Sequence, residues 1–213
     1  MEKRYMEQWF CYKEGVEWQK HMNELLKEVF RKSIHICTAF VPLLLHAAYL
    51  PVMVLLGCAL IGYCIAEALR CRGITVPLVS AITAAAARKR DENRFVLGPA
   101  TLAFGVLCAA LLFEPAPAAV GIFALAFGDG LASLVGKFCG RIKIPGSAGK
   151  TVAGSLTCFT AIFCSTFAVT RRADAALGVA LAGMLIEVLP LKDFDNVLIP
   201  VLLGALAQFY FHI

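Results

Sequence analysis

Residues 127–155 read FGDGLASLVGKFCGRIKIPGSAGKTVAGS. The stretch starts inside an apolar run, with Asp129 between Gly128 and Gly130. It leaves that run at Lys137 and passes Gly140, Arg141, Lys143 and Lys150 before apolar sequence resumes after Thr151. An ionisable side chain inside a membrane segment is expensive to keep there and marks a functional site by default. Flanking glycines permit close approach of backbone or ligand. A Gly- and Lys-rich loop offers backbone N–H groups and cations, which suit phosphate oxygens. A carboxylate beside it suits a divalent cation shared with the same phosphates. The stretch therefore predicts a magnesium–nucleotide site at the edge of a membrane. Two plainer readings stand beside it: Asp129 as a structural carboxylate paired with a buried Lys or Arg, and loop 137–150 as a loop that is basic only to set topology.

Working outward, the flanking chain is that of a membrane protein. Of its 213 residues 60% are hydrophobic and 16% charged, against about 25% charged in soluble domains, and mean hydropathy is +0.75. The net charge of +5 does not point to nucleic acid, because the basic residues collect in loops beside apolar runs. The first thirty residues are charged and lack a long apolar run, so no cleavable signal peptide is expected. Nine cysteines occur without a CxxC pair. Those in apolar runs read as small hydrophobes, which suggests neither a disulfide framework nor a zinc site.

Periodicity predicts an all-α integral membrane protein with about seven transmembrane helices. Residues 1–32 interleave Trp9, Phe10, Tyr12, Val16 and Trp18 with charges. They read as an amphipathic helix on the membrane surface, or as one packed on the rest of the protein. The expected spans are 33–50, 51–69, 95–113, 116–136, 151–170, 173–190 and 196–212, close to the about 20 residues a crossing needs. Residues 74–87 are too short, and Arg88, Lys89 and Arg90 follow them, so an interfacial or half-inserted helix is expected there. Residues 33–213 would then form one multi-span catalytic domain. With the N-terminus inside, the inner segments carry seven, six, four and one Lys/Arg, eighteen of the twenty. Only Arg171 and Arg172 lie outside, which predicts a cytoplasmic N-terminus and a C-terminus on the opposite side.

Under this topology the unusual polar residues share the inner side: Arg31, Lys32 and His35, Glu67 and Arg70, Asp129, Glu187, and Asp193, Asp195 and Asn196. Asp195 or Asn196 is also well placed to cap the last helix. Glu187 reads as a second metal carboxylate, a nucleotide contact or a polar helix end. His35 reads equally as an interfacial histidine. GSAGKT at 146–151 imitates a P-loop, but that motif needs Gly where Ile144 stands, and no strand precedes it. The phosphate-facing chemistry of Lys150, Thr151 and Ser155 stays open.

These residues carry a resemblance. Gly128 and Asp129, then Gly136, Gly140, Arg141 and Lys143, then Lys150, Thr151, Gly154 and Ser155 resemble the signature of the CTP-dependent lipid kinases, which include dolichol kinase, phytol kinase and a CTP-using diacylglycerol kinase. Arg31, Lys32 and His35 match an RKxxH piece, and Asp195, Asn196 and Pro200 a DN before the last span. The resemblance covers nearly the whole chain from residue 28. It implies Mg²⁺-dependent transfer of the γ-phosphoryl group of CTP to a lipid alcohol, a prenol, polyprenol or diacylglycerol. Asp129, Glu187 and Asp195 would serve the metal, with Asp129, Lys150 and Glu187 catalytic. Lys137, Gly140, Arg141, Lys143, Lys150, Thr151, Gly154, Ser155 and Asn196 would serve the nucleotide, and Arg31, Lys32 and His35 the lipid head group. A cytidylyltransferase acting on phosphatidate uses the same nucleotide and is the enzymatic alternative. A transporter of a phosphorylated solute is a further one, though it should carry inverted repeats and polar residues on both sides.

Overall fold

The computed structural model describes residues 2–74, 76–86, 94–147 and 149–212, and it is helical throughout, with no strand among them. The chain forms α1 (Glu2–Cys37), a 3₁₀ turn (Thr38–Phe40), α2 (Val41–Ala47), α3 (Tyr49–Cys71), α4 (Pro77–Ala86) and α5 (Leu97–Leu112). A long apolar helix follows in three pieces: α6 (Pro115–Phe123), a π-helical stretch (Ala124–Asp129) and α7 (Gly130–Cys139). After the basic loop come α8 (Val152–Thr170), α9 (Ala173–Val188) and α10 (Asp195–His212). The side chains of Trp9, Phe10, Tyr12 and Val16, and the cluster Arg88, Lys89 and Arg90, lie outside the described residues.

Two sequence expectations are corrected. The first span, 33–50, is not one helix. α1 crosses the expected boundary at residue 32 without a break and ends at Cys37. Pro42 then has no N–H for the carbonyl four residues back, and Pro51 has none for Ala47, so the ladder breaks around Thr38–Phe40 and at Ala48. Nor do seven helices have the length and apolarity to cross. Three do, Tyr49–Cys71, Pro115–Cys139 and Val152–Thr170, while Leu97–Leu112 is apolar but short. Its 16 residues reach about 24 Å at 1.5 Å per residue, less than the about 30 Å hydrocarbon core.

The core lies where α5, α6, α8, α9 and α10 meet, around Val106, Ile122, Leu125, Ile162, Val179, Ile199 and Leu203. The outer faces stay apolar: Leu55, Ile61 and Ile65 on α3, Leu156 on α8 and Leu185 on α9 are exposed. With no hydrophobic drive between helices in lipid, small residues set how closely they approach. α10 illustrates this. Pro200 leaves the Asn196 carbonyl without its helical donor, and that carbonyl faces Gly105 of α5, where a Cβ would lie 2.1 Å from it. Gly121 of α6 meets the Pro200 carbonyl, with a would-be Cβ at 2.3 Å. Glycine is required at both places, and the N-terminus of α10 is thereby pinned beside the N-terminal turns of α5.

Candidate functional site

Helix ends converge at one place: the C-terminal ends of α7 and α9, the N-terminal ends of α8 and α10, and the stretch of α1 before Cys37. They enclose a cavity of about 390 Å³ lined by Glu28, Arg31, Lys32, Asp129, Lys137, Ser147, Lys150, Thr151, Gly154, Glu187 and Asp195, among others. Residues more than 150 positions apart in the chain thus share one polar pocket. Arg31, Lys32, Asp129, Lys137, Lys150, Thr151, Gly154, Glu187 and Asp195 are all sequence-predicted and all present in its wall.

Asp129 closes the π-helical stretch and is buried. A π turn widens the helix locally and is frequent at functional sites. Its Oδ2 accepts a hydrogen bond from Nζ of Lys32, and Nδ1 of His35 stands 3.2 Å from the same oxygen without a hydrogen-bond alignment. Lys32 and His35 are themselves buried. They reach Asp129 because Glu28, Lys32 and His35 recur at i, i+4 and i+7, one stripe of α1 turned into the bundle. Of the residues expected to serve the head group, Lys32 and His35 thus sit on the carboxylate and Arg31 on Glu28 at 2.5 Å.

Glu187 holds a second constellation. Oε1 accepts from Nζ of Lys150 at 2.8 Å and Oε2 from the Ser155 hydroxyl at 3.0 Å. Burial works against the charge of Lys150, but the carboxylates of Asp129 and Glu187 outweigh it and hold its pKa above the ordinary lysine value. A third pair crosses the mouth: Glu28 Oε2 accepts from Lys137 Nζ at 2.7 Å. Burial pushes the Glu28 carboxyl up, and the cations Arg31, Lys137 and Lys32 more than reverse this, leaving it below the usual glutamate range.

The basic loop folds back on itself. Ile144 N–H donates to the Lys150 carbonyl at 2.9 Å and Val152 N–H to the Ile142 carbonyl at 3.0 Å, with Lys143 bridged to Thr151. Gly146 and Gly149 take positive φ at 77° and 96° to close the turn. This narrow hairpin delivers Lys150 to the cavity and leaves Arg141 and Lys143 exposed outside its lining. Several expected phosphate donors are engaged locally. Thr151 caps α8 by accepting from Gly154 N–H at 3.2 Å, and Gly140 N–H donates to the Gly136 carbonyl at 3.1 Å. Gly140 is nonetheless sterically required, since a Cβ there would lie 2.4 Å from Thr151 Oγ1.

Two polar residues fall differently from the sequence reading. Glu67 and Arg70 were expected to share the site; instead Glu67 is fully buried away from the cavity. It ties Arg70 at 2.8 Å, Thr83 at 3.2 Å and Val96 N–H at 2.8 Å, joining α3, α4 and the start of α5. Asn196 and His35 line a smaller neighbouring crevice of about 30 Å³, which shares Arg31, Lys32 and Asp195 with the main cavity. Glu28 and Ser147 line the cavity without having been singled out. For Glu28 the signal was its i, i+4 spacing to Lys32.

Among the described residues no group of three His, Cys, Asp or Glu side chains stands ready to hold a metal ion. Asp129, Glu187 and Asp195 all line the cavity, but both Glu187 oxygens are committed to Lys150 and Ser155. That donor set does not make a protein-only cage.

Fold and site together define a class: an all-helical chain with three membrane-length helices and a polar, ion-paired cavity where its helix ends meet. Compared with protein families, with curated proteins and with solved structures, the chain has no match.

Proposed function

We propose that the chain is a membrane-embedded lipid kinase that transfers the γ-phosphoryl group of a nucleoside triphosphate, CTP by its signature, to a lipid hydroxyl. The observation that carries this reading is the cavity itself. Arg31, Lys32, Lys137 and Lys150 surround Asp129 in one pocket at the end of a membrane-length helix. Phosphoryl transfer asks a protein chiefly for positioning and charge neutralisation. The four cations supply the second, and Lys150, delivered by its hairpin, supplies much of the first. Magnesium arriving with the triphosphate would neutralise developing charge, and Asp129 and Asp195 would hold it. Glu187 keeps Lys150 aimed and ionised.

The charge bias supports an inside N-terminus with the cavity on the cytoplasmic side. On this reading the shorter helices α2, α5, α9 and α10 complete the bundle around the three longer ones inside the bilayer, with the C-terminus opposite. The test is to incubate purified protein with γ-labelled CTP or ATP and a panel of prenols, polyprenols and diacylglycerols. Label in the lipid supports the kinase. Lipid labelled only from α-labelled CTP moves the assignment to cytidylyl transfer, and no labelled lipid from either overturns both.

A further inference from the structure

The cavity is close to charge balance, and a residue at its mouth helps to keep it so. Among the described residues its wall carries five cations, Arg31, Lys32, Lys137, Lys150 and Lys192, and four carboxylates, Glu28, Asp129, Glu187 and Asp195. Two ion pairs lie further in, Lys32 on Asp129 and Lys150 on Glu187, and their cations are less exposed than Lys137. Glu28 differs from the inner carboxylates by engaging two cations, one on each oxygen. Oε1 accepts from Nη2 of Arg31 at 2.5 Å and Oε2 from Nζ of Lys137 at 2.7 Å. The Lys137 side chain is 45% exposed, whereas that of Glu28 is 9% exposed. An anion arriving from water therefore meets Lys137 and Arg31 with a carboxylate already between them.

Glu28 lies one turn before Lys32 on the stripe of α1 turned into the bundle, and Lys137 stands in the last turn of α7. The pair thus ties α1 to the end of α7. A tie between two helix ends does not need a carboxylate inside a phosphate site, where it repels phosphate oxygens. Burial pushes the Glu28 carboxyl up, but Arg31, Lys137 and Lys32 more than reverse this, so the repelling charge persists at neutral pH.

We infer that Glu28 is a specificity-determining residue, a counter-charge that occupies Arg31 and Lys137 so that inorganic phosphate and other small anions do not settle at the mouth. It raises the threshold for every anion. A ligand held by mouth contacts alone is refused, and one with further contacts to Lys32 and Lys150 is kept. This rests on the reading of the cavity as the triphosphate site of a kinase and adds how it stays clear of shorter anions. A purely structural tie between α1 and α7 is the competing account, and the two differ in sign: loosening the wall weakens anion binding, whereas removing a counter-charge strengthens it.

Glu28→Gln keeps the size of the side chain and removes its charge. Its two cations are partly exposed, so water can solvate them and folding should tolerate the change. Glu28→Asp keeps the charge, and Glu28→Gln joined to Lys137→Gln removes both members of a pair. Binding of inorganic phosphate, without metal or nucleotide, would be measured by titration calorimetry on each full-length protein at neutral pH, alongside inhibition of lipid phosphorylation by inorganic phosphate. Glu28→Gln should bind phosphate about ten-fold more tightly than wild type and be inhibited by it correspondingly, the scale of one charge-assisted contact. The gain should shrink as salt is raised. Glu28→Asp and the double variant should stay near wild type. Phosphate affinity that is unchanged or weaker in Glu28→Gln overturns the counter-charge and leaves the structural tie. An equal gain in Glu28→Asp, or one undiminished in the double variant, overturns it as well, because neither variant changes the charge of the mouth. Wild type that phosphorylates no lipid while Glu28→Gln gains phosphate affinity overturns the kinase reading and leaves an anion filter. Neither phosphorylation nor any gain in phosphate affinity overturns both.

Discussion

Asp129→Asn separates a catalytic carboxylate from a structural one, provided its partner is changed too. Asp129 and Lys32 are buried against each other. Removing the carboxylate's charge alone strands an ammonium in the bundle, and breaking a buried pair by removing one partner costs about 3–5 kcal/mol. At about 2–4 °C per kcal/mol for a chain of this size, the melting temperature in detergent should fall by about 6–20 °C. Loss of activity in the single variant would then be ambiguous. Lys32→Met joined to Asp129→Asn removes both charges while keeping similar volumes, and replacing a whole buried pair is often neutral or stabilising. The double variant should therefore recover most of the lost melting temperature.

The two readings then part. If Asp129 serves only to neutralise Lys32, the double variant is no slower than Lys32→Met alone, which already carries the loss of a cavity cation. If Asp129 faces the triphosphate, the double variant is stable and slower than Lys32→Met by about 100-fold or more, the size of effect seen when a preorganised electrostatic contact is removed. The assay is thermal unfolding of wild type, both singles and the double, together with initial rates at saturating nucleotide and lipid. A double variant as fast as Lys32→Met would refute the active-site reading of Asp129. A double variant no more stable than Asp129→Asn would refute the claim that Lys32 is what the carboxylate neutralises.

Lys150→Ala should raise the nucleotide KM about ten- to hundred-fold, the value of a charge-assisted contact of about 1.5–3 kcal/mol; Lys150→Arg should also be impaired, because the planar guanidinium cannot replace the ammonium between Glu187 and phosphate. Equal kinetics in all three would reduce the loop to a topology signal. The Glu28 carboxyl lies below its ordinary value near 4.5, so its pairing stabilises the fold above that pH and the benefit is lost as pH falls through the lowered folded-state value. Melting temperatures of wild type and Glu28→Gln should differ at pH 7 and draw together as pH falls below 4.5; a gap that does not narrow with acidification would refute this. In a background stripped of reactive cysteines, a cysteine beside Arg171 should label from outside and one beside Lys143 should not, and the reverse pattern would invert the topology.

Element positions were legible in the sequence because apolar runs and their punctuation carry them. α3, α8, α9 and α10 begin and end within about two residues of the periodic segments. Crossing ability was less legible. Leu97–Leu112 and Asp195–His212 are apolar enough to be buried but short or polar-ended, and a helix buried in a bundle has the same composition as one buried in lipid. The break near Thr38 was readable in principle from Pro42, whose missing N–H falls inside the expected first span. The π-helical stretch had no comparable signal, since Ala124–Phe127 differs little from the helix around it.

The site was legible as a set of residues rather than as a set of partners. Asp129, Lys150 and Glu187 stand out because charges are costly in apolar surroundings, and cost is visible in one dimension. Neutralisation is not: Lys32 is 97 residues from Asp129 and Ser155 is 32 from Glu187, and no spacing rule connects them. That difference decides how the site can work. A basic loop alone would attract phosphate from water, and so would any juxtamembrane cluster of lysines. Here Lys32 and Lys150 are each tethered to a buried carboxylate, Asp129 and Glu187. A triphosphate that binds must therefore compete for these cations or share them. Sharing is possible only if positive charge accompanies the ligand, because the carboxylates of Glu28, Asp129, Glu187 and Asp195 already offset most of the cations lining the cavity, and a free triphosphate would leave a large net negative charge in a low-dielectric pocket. On the proposed lipid-kinase function, the ion-paired cavity would therefore favour a nucleotide that enters with its divalent cation over the free anion that an unpaired lysine cluster would accept.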